Sequence, residues 1–249
     1  FKDDVVDFNG ELPNVIVVMN ESFADLEKVF NIELQEDNIS YFHKLVQSEN
    51  VISGMMHSSK YGGGTSNVEY EFLTQNTTAF LPTGSIPFQQ YISRKVNESI
   101  VTTMNQLNYN SYGIHSWYKN GYSRGKVYNL LQFNNSIFKE SMDNLENELN
   151  EYPTDISTYE YWFDIMNNKQ KDDKNFTFIV TMQNHLPYNN VDYNRTQYVY
   201  DNDELNSYLQ YEKMSDDALK GLIEFLEEYE EDTVLLFFGD HQPNLSLEE

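Results

Sequence analysis

Pro13-Asn-Val-Ile-Val-Val-Met19, followed at once by Asn20-Glu21-Ser22, is the stretch that decides the fold. A β-branched run with a turn former before it and no polar alternation reads as a strand buried on both faces, as in parallel sheets covered by helices. The pattern recurs twice. Phe176-Thr-Phe-Ile-Val-Thr-Met182 runs into Gln183-Asn184-His185, and Thr233-Val-Leu-Leu-Phe-Phe238 runs into Gly239-Asp240-His241. Between these strands, Leu205–Tyr229 carries apolar residues at helical spacing with a charged opposite face, and Asp155–Met166 and Ser40–Gln47 show weaker forms of the same pattern. Another helix is expected to start near Phe23. Polar Asn167–Asn175 has no apolar anchor and reads as a surface loop. Strand–helix alternation predicts an α/β fold, a three-layer sandwich with a largely parallel central sheet, in a single domain over residues 1–249. Ligands of open α/β sheets bind beyond the carboxyl ends of the strands, so the three polar strand endings are expected to converge on one site.

Composition narrows the function. Hydrophobic residues make up 39% of the 249 and aromatic residues 15%, which suits a folded globule rather than a disordered chain. A formal charge of −24 argues against adhesion to nucleic acid or to an anionic membrane surface. With no cysteine, disulfides, thiolate metal sites and cysteine nucleophiles are excluded. No apolar run approaches the roughly 20 residues of a membrane helix. The acids are also unevenly spread: none occurs from Val51 to Val68 or from Ser99 to Lys139, while Lys60, Lys119, Arg124 and Lys126 lie inside those gaps. Two readings stand, buried segments or a neutral-to-basic pocket for an anionic substrate.

Tyr61-Gly62-Gly63-Gly64-Thr65-Ser66-Asn67 is the most informative short stretch. Three glycines let the backbone approach a ligand, and Val68–Leu73 suits a helix, so Thr65 would stand at a helix N-terminus where free N–H groups favour phosphate oxygens. A flexible loop with a capping threonine is the other reading. The run is no P-loop, because the Lys-Ser/Thr ending is missing. Asp240-His241 after a strand can bind one divalent ion, or can form a capped turn. Glu21 offers a third ligand, or a solvated loop carboxylate. Together Glu21, Thr65, Asp240 and His241 would make a hard-oxygen site with one imidazole, suited to Mn²⁺, Mg²⁺ or Zn²⁺. Such an ion would activate the threonine hydroxyl as a nucleophile toward phosphorus.

Met19-Asn-Glu-Ser-Phe23, Gly62-Gly-Gly-Thr-Ser-Asn67 with Glu69, and Gly239-Asp-His-Gln-Pro243 resemble, in order, motifs of the lipoteichoic acid synthase and phosphoglycerol transferase family, within the sulfatase and alkaline-phosphatase superfamily. The resemblance covers nearly the whole chain. It implies that Glu21, Thr65, Asp240 and His241 hold a single Mn²⁺ and that Thr65 carries a glycerophosphoryl intermediate. Gly113-Ile-His115 through Tyr122-Ser-Arg124 resembles the family's substrate-binding stretch, which implies that His115, Tyr122 and Arg124 contact the head group, and His185 matches another pocket histidine. Tyr122 stands where relatives carry tryptophan, and Trp117 where they carry an acid. The implied donor is an anionic glycerophospholipid, phosphatidylglycerol, and the implied acceptor a hydroxyl of a polymer or glycan. Hydrolysis with water as acceptor, or non-catalytic binding of phosphoglycerol polymers, are the alternatives. The implied setting is the extracellular face of a bacterial cell membrane, with the anchor of the parent protein and part of the C-terminal region outside these 249 residues. The Cys/Ser-x-Pro-x-Arg motif of formylglycine sulfatases is absent.

Overall fold

The structure, a computed structural model, describes residues 12–143, 145–147, 150–171, 173–194 and 199–246. In chain order the elements are β1 Asn14–Asn20, α1 Leu26–Phe30, α2 Ser40–Leu45, α3 Thr65–Thr74, α4 Pro87–Gln90, α5 Ile100–Gln106, β2 Asn110–His115, α6 Arg124–Leu130, β3 Asn135–Phe138, α7 Asp155–Asn168, β4 Asn175–Val180, α8 Asp203–Glu228 and β5 Thr233–Gly239. The five strands form one sheet in the order β3-β2-β4-β1-β5, every pair parallel.

Side chains of β1 alternate between two cores. Val17 and Met19 join Val68 and Leu73 of α3, Val127 and Tyr128 of α6, and Phe176 and Phe178 of β4. Ile16 and Val18 face the other way, onto Tyr159, Trp162 and Met166 of α7 and Ala218, Leu219 and Leu222 of α8. A strand that must satisfy both layers has no room for polar alternation, which is why its sequence reads as an unbroken apolar run. The expected three-layer α/β sandwich is therefore present.

Several local expectations shift. The first helix begins at Leu26 rather than near Phe23, with Asp25 as its N-cap, because Ser22 takes a left-handed φ of 52° and the Ala24 N–H donates to Glu212. Helix α8 starts two residues before the expected Leu205 because Asn202 caps it, accepting from Leu205 N. Helix α7 extends to Asn168, whereas α2 stops at Leu45. The link from α7 to β4 has an ionic anchor in place of an apolar one: Lys169 and Lys174 reach Glu231 at 2.6 and 3.2 Å. Asp172 of that link lies outside the described residues. Strand β5 is not buried on both faces as its sequence suggests. It is an edge strand, with Val234 53% and Leu236 45% exposed.

The register aligns the strand ends: Met19 pairs with Val180 on one side and Phe238 on the other, and Asn20 with Gly239. The β5 end is packed so tightly against the turn after β1 that a Cβ on Gly239 would stand 1.9 Å from the Phe23 carbonyl oxygen. Gly239→Ala should therefore destabilise the fold by about 3 kcal/mol or more, since two backbones must separate. Urea unfolding of the purified variant checks this, and a loss below about 1 kcal/mol would mean the two turns are free to part.

Candidate metal centre

Glu21 and Asp240 leave adjacent strand ends, and both are almost fully buried, at 3% and 0% exposure. The Glu21 N–H donates to Thr181 Oγ1 at 3.1 Å, which fixes the β1 end on the β4 end. Asp240 Oδ1 accepts from the N–H of Ser22 and of His241, each at 2.8 Å, so its carboxylate is locked by two backbone donors. Among the described residues its other oxygen, Oδ2, has no hydrogen-bond partner and lies 3.2 Å from His241 Nε2, which likewise has none. His241 Nδ1 faces the Gln242 carbonyl at 3.1 Å. Donation there leaves Nε2 as a bare lone pair aimed at the two carboxylates. Glu21 Oε1 is 3.6 Å from that nitrogen.

Thr65 reaches this cluster through the glycine loop. The Gly62 N–H donates to the Gln242 carbonyl at 3.0 Å, one residue past His241. Gly62, Gly63 and Gly64 all have positive φ, a path closed to other residues without strain. Gly64 then opens α3 with Thr65 as its first residue. Thr65 Oγ1 sits 3.4 Å from Glu21 Oε2.

These residues fit a divalent cation. One ligand atom from each of Glu21, Asp240 and His241 lies within 4.8 Å of the others, and two buried polar atoms, Asp240 Oδ2 and His241 Nε2, lack any hydrogen bond of their own. Protein interiors rarely tolerate such atoms. The carboxylates register the strain: burial pushes Glu21 up, and burial together with the Glu21 charge pushes Asp240 up to about 7. A cation offsets both effects.

The remaining candidates lie around this centre. His115 ends β2, fully buried, with Nδ1 3.1 Å from the Val180 carbonyl and Nε2 without a partner. Burial, reinforced by Arg124, holds it well below the usual imidazole range. It is therefore a neutral side chain that accepts through Nε2. Arg124 does not present its fork to a phosphate: Nε and Nη2 both donate to Glu69 Oε1, at 2.8 and 2.6 Å. Tyr128 donates to the other Glu69 oxygen at 2.8 Å. Arg124 lies over the Tyr122 ring, 5.1 Å from its centre, and Tyr122 and Ser123 both adopt left-handed φ, of 50° and 62°. Strain of this kind persists where surrounding contacts enforce it. His185 stands apart from the ligand cluster. Its ring packs 4.7 Å from Tyr152, which packs 4.8 Å from Trp117, giving a short aromatic wall. Sequence reasoning did not single out Ser22, whose turn carries a donor to Asp240, or Tyr128; neither residue type carries a distinguishing signal alone. His43 bridges Asp25 and Asp37.

A family model described as Sulfatase matches residues 13–247. A protein of Rhizobium meliloti (strain 1021) named for cyclic beta-1,2-glucan modification is 33% identical over 241 residues, which are 94% of this chain and 36% of the relative. Among solved structures, the Streptococcus pyogenes phosphoglycerol transferase GacH in complex with sn-glycerol-1-phosphate superposes with a TM-score of 0.80 at 24% identity, covering 94% of this chain and 63% of that one. The lipoteichoic acid synthase LtaP from Listeria monocytogenes gives 0.78 at 20% identity, covering 92% and 56%. A protein in the alkaline phosphatase superfamily from Vibrio parahaemolyticus gives 0.72 at 15%, covering 96% and 57%. The chain thus spans about a third of the curated relative's length and under two thirds of each of these structures.

The raised Asp240 sets the sign of a pH effect. A carboxyl whose folded pKa exceeds its unfolded value of 3.8 contributes stability at low pH and loses it as pH rises through about 7. Metal-free protein should melt several degrees lower at about pH 8 than at about pH 5. Asp240→Asn should flatten that slope and raise the melting temperature of the metal-free protein at about pH 8. Mn²⁺ should stabilise the wild type and leave the variant unmoved. A variant less stable than wild type at alkaline pH without metal would show that the ionised carboxylate has another partner.

Proposed function

The chain belongs to the Sulfatase family, and on that premise we propose that it is a metal-dependent phosphoglycerol transferase with Thr65 as nucleophile. The single observation that carries this reading is the buried threonine hydroxyl at the start of α3, 3.4 Å from Glu21, beside a carboxylate-and-imidazole cluster with unpartnered ligand atoms. Glu21, Asp240, His241 and Thr65 would hold one divalent ion, Mn²⁺ first and Mg²⁺ or Zn²⁺ next by donor type. When bound, that ion would supply the positive charge that favours a deprotonated threonine and offsets charge on the phosphoryl group.

The chain's own residues account for the rest. Thr65 Oγ1 attacks the phosphorus of an anionic glycerophospholipid, its proton passing toward the adjacent carboxylates. A Thr–O–P bond forms, the bond from phosphorus to the diacylglycerol oxygen breaks, and that oxygen leaves with the proton the carboxylates took from Thr65. In the second half an acceptor hydroxyl attacks phosphorus, loses its proton to a base, and Thr65 is released as the free hydroxyl. His185, on the aromatic wall with Tyr152, is the residue assigned as the base for that step. His115 Nε2 accepts from a head-group hydroxyl. Arg124, with Nε and Nη2 committed to Glu69, offers its remaining nitrogen, and Tyr122 shapes the same wall.

A glycan is the preferred class of acceptor. The aromatic wall of Trp117, Tyr152 and His185 suits the apolar face of a sugar ring, and the Rhizobium meliloti relative is named for modification of a glucan. GacH and LtaP, named as phosphoglycerol transferase and lipoteichoic acid synthase, support the phosphoglycerol donor. No helix among the described residues is long and apolar enough to cross a membrane. The reading places this domain at the extracellular face of a bacterial membrane, carried by an anchored parent protein.

Mass spectrometry of Mn²⁺-loaded protein quenched with phosphatidylglycerol should find a glycerophosphoryl adduct on the peptide containing Thr65, absent in Thr65→Ala. A chiral phosphodiester should be transferred with net retention, from two successive inversions. Net inversion during confirmed turnover rules the threonine route out.

A further inference from the structure

Helix α8 sends one carboxylate toward the turn that supports the metal centre without reaching the centre itself. Glu212 is 1% exposed, and the chemistry above does not use it. Its Oε1 lies 2.8 Å from the Tyr208 hydroxyl, which lies 2.7 Å from the carbonyl oxygen of Ser22. The same Oε1 accepts from Ala24 N at 3.2 Å, and Oε2 accepts from Asn38 Nδ2 at 2.8 Å. Ser22 is the left-handed residue whose N–H donates to Asp240, and it directly follows Glu21.

Proton counting fixes the state of this row. Glu212 Oε1, Tyr208 Oη and Ser22 O are three oxygens joined by two hydrogen-bond contacts, and each contact needs a proton. The carbonyl brings none and the phenol brings one. With an ionised Glu212, one of the two oxygen pairs would face each other at hydrogen-bond distance with nothing between them. A neutral carboxylic acid completes the row: Glu212 donates to Tyr208, and Tyr208 donates to Ser22 O. The acid oxygen keeps a lone pair for the Ala24 N–H.

The surroundings agree. Asp25, the N-cap of α1, is the charged group facing Glu212 from that side; Asn38, before α2, is neutral, and Tyr188 packs edge-on against Tyr208 at 5.3 Å. Burial pushes the Glu212 carboxyl up to about 8, with Asp25 adding to it and the contacts with Tyr208, Asn38 and Ala24 opposing.

We propose that Glu212 is a positioning residue that works as a neutral acid, locking through Tyr208 the Ser22 turn from which Glu21 and the Asp240-binding N–H project. The inference rests on reading Glu21, Asp240 and His241 as metal ligands. A hydrogen-bonded partner of a ligand-bearing turn typically changes metal affinity about 10-fold to 100-fold when removed.

Two measurements test it. The first is an infrared difference spectrum of metal-free wild type against Glu212→Gln near pH 7. It should contain the C=O stretch of a protonated carboxyl, fading as pH is raised past about 8. A carboxylate band in its place overturns the proposal. The second is Mn²⁺ titration calorimetry at the same pH on wild type, Glu212→Gln, Glu212→Leu and Tyr208→Phe. Leu and Phe should weaken binding by about tenfold or more, while Gln, which keeps a donor toward Tyr208, should stay much closer to wild type. Equal losses for Gln and Leu, or an unchanged Tyr208→Phe, overturn it. Should Glu212→Leu fail to fold, Tyr208→Phe decides. A wild type that binds no Mn²⁺ would defeat the metal reading, and the infrared arm would still report on the proton.

Discussion

The parallel register of β1 with β5 is the constraint on which the rest depends, because it sets Asn20 beside Gly239 and so forces two carboxylates, Glu21 and Asp240, into one dry corner. Two buried like charges cannot both ionise cheaply. Among the described residues no lysine or arginine pairs with the ligand atoms themselves; Arg124 is hydrogen-bonded to Glu69, and only its charge reaches Glu21. What the protein supplies instead is orientation. Two backbone N–H groups fix Asp240 Oδ1, Thr181 fixes the Glu21 backbone, and the Gln242 carbonyl selects the histidine tautomer. On the metal reading, the charge would be met by a cation, a division between scaffold and ligand that would tie metal binding to stability.

That arrangement needs support from below, where a polar layer lies under the strand ends. Asp155 at the head of α7 accepts from Asn20 Nδ2 and Ser215 Oγ, each at 2.6 Å, and Gln183 bonds Ser215 and the Tyr211 carbonyl. These bonds join β1 and the segment after β4 to both helices of the α7–α8 layer. On the opposite layer the Glu69–Arg124–Tyr128 group links α3, whose first residue is Thr65, to α6. Removing one member of such a buried pair strands the other, so these contacts specify position more than they add stability.

Much of this was legible in the sequence. The strands β1, β4 and β5 were readable because a two-faced buried strand admits little but apolar residues, and the residues just beyond them were readable because strand ends are where ligands bind. Strands β2 and β3 were not. Asn110–His115 mixes polar and apolar residues, its Gly113 left bare so that Tyr128 can approach to within 2.7 Å of a Cβ position, and β3 has only four residues. The edge position of β5 was equally hidden, since a strand's apolar content records what it can pack against and not whether it has one neighbour or two. Glu212 was invisible for a different reason: a glutamate in an amphipathic helix rich in surface acids carries no sign of burial, and its role depends on a turn nearly two hundred residues earlier.

The acid-free windows show how a compositional signal can be correct in observation and divided in cause. From Ser99 to Lys139 the chain builds α5, β2, α6 and β3, and Val101, Ser111, Ile114, His115, Val127, Tyr128 and Leu131 are buried there. Burial accounts for the missing acids over most of that length, because an unpaired carboxylate would be costly at those positions. The buried arginine in the window is matched by Glu69, which sits just past the end of the first window. That arginine therefore adds no unbalanced positive charge to the pocket. Around Thr65 lie a neutral imidazole acceptor, an arginine already balanced by a carboxylate, and the first turn of helix α3. On the metal reading proposed above, attraction for an anion there would come chiefly from the helix terminus and from a cation held by Glu21, Asp240 and His241, which would make substrate binding, like the charge balance of the site, conditional on the metal.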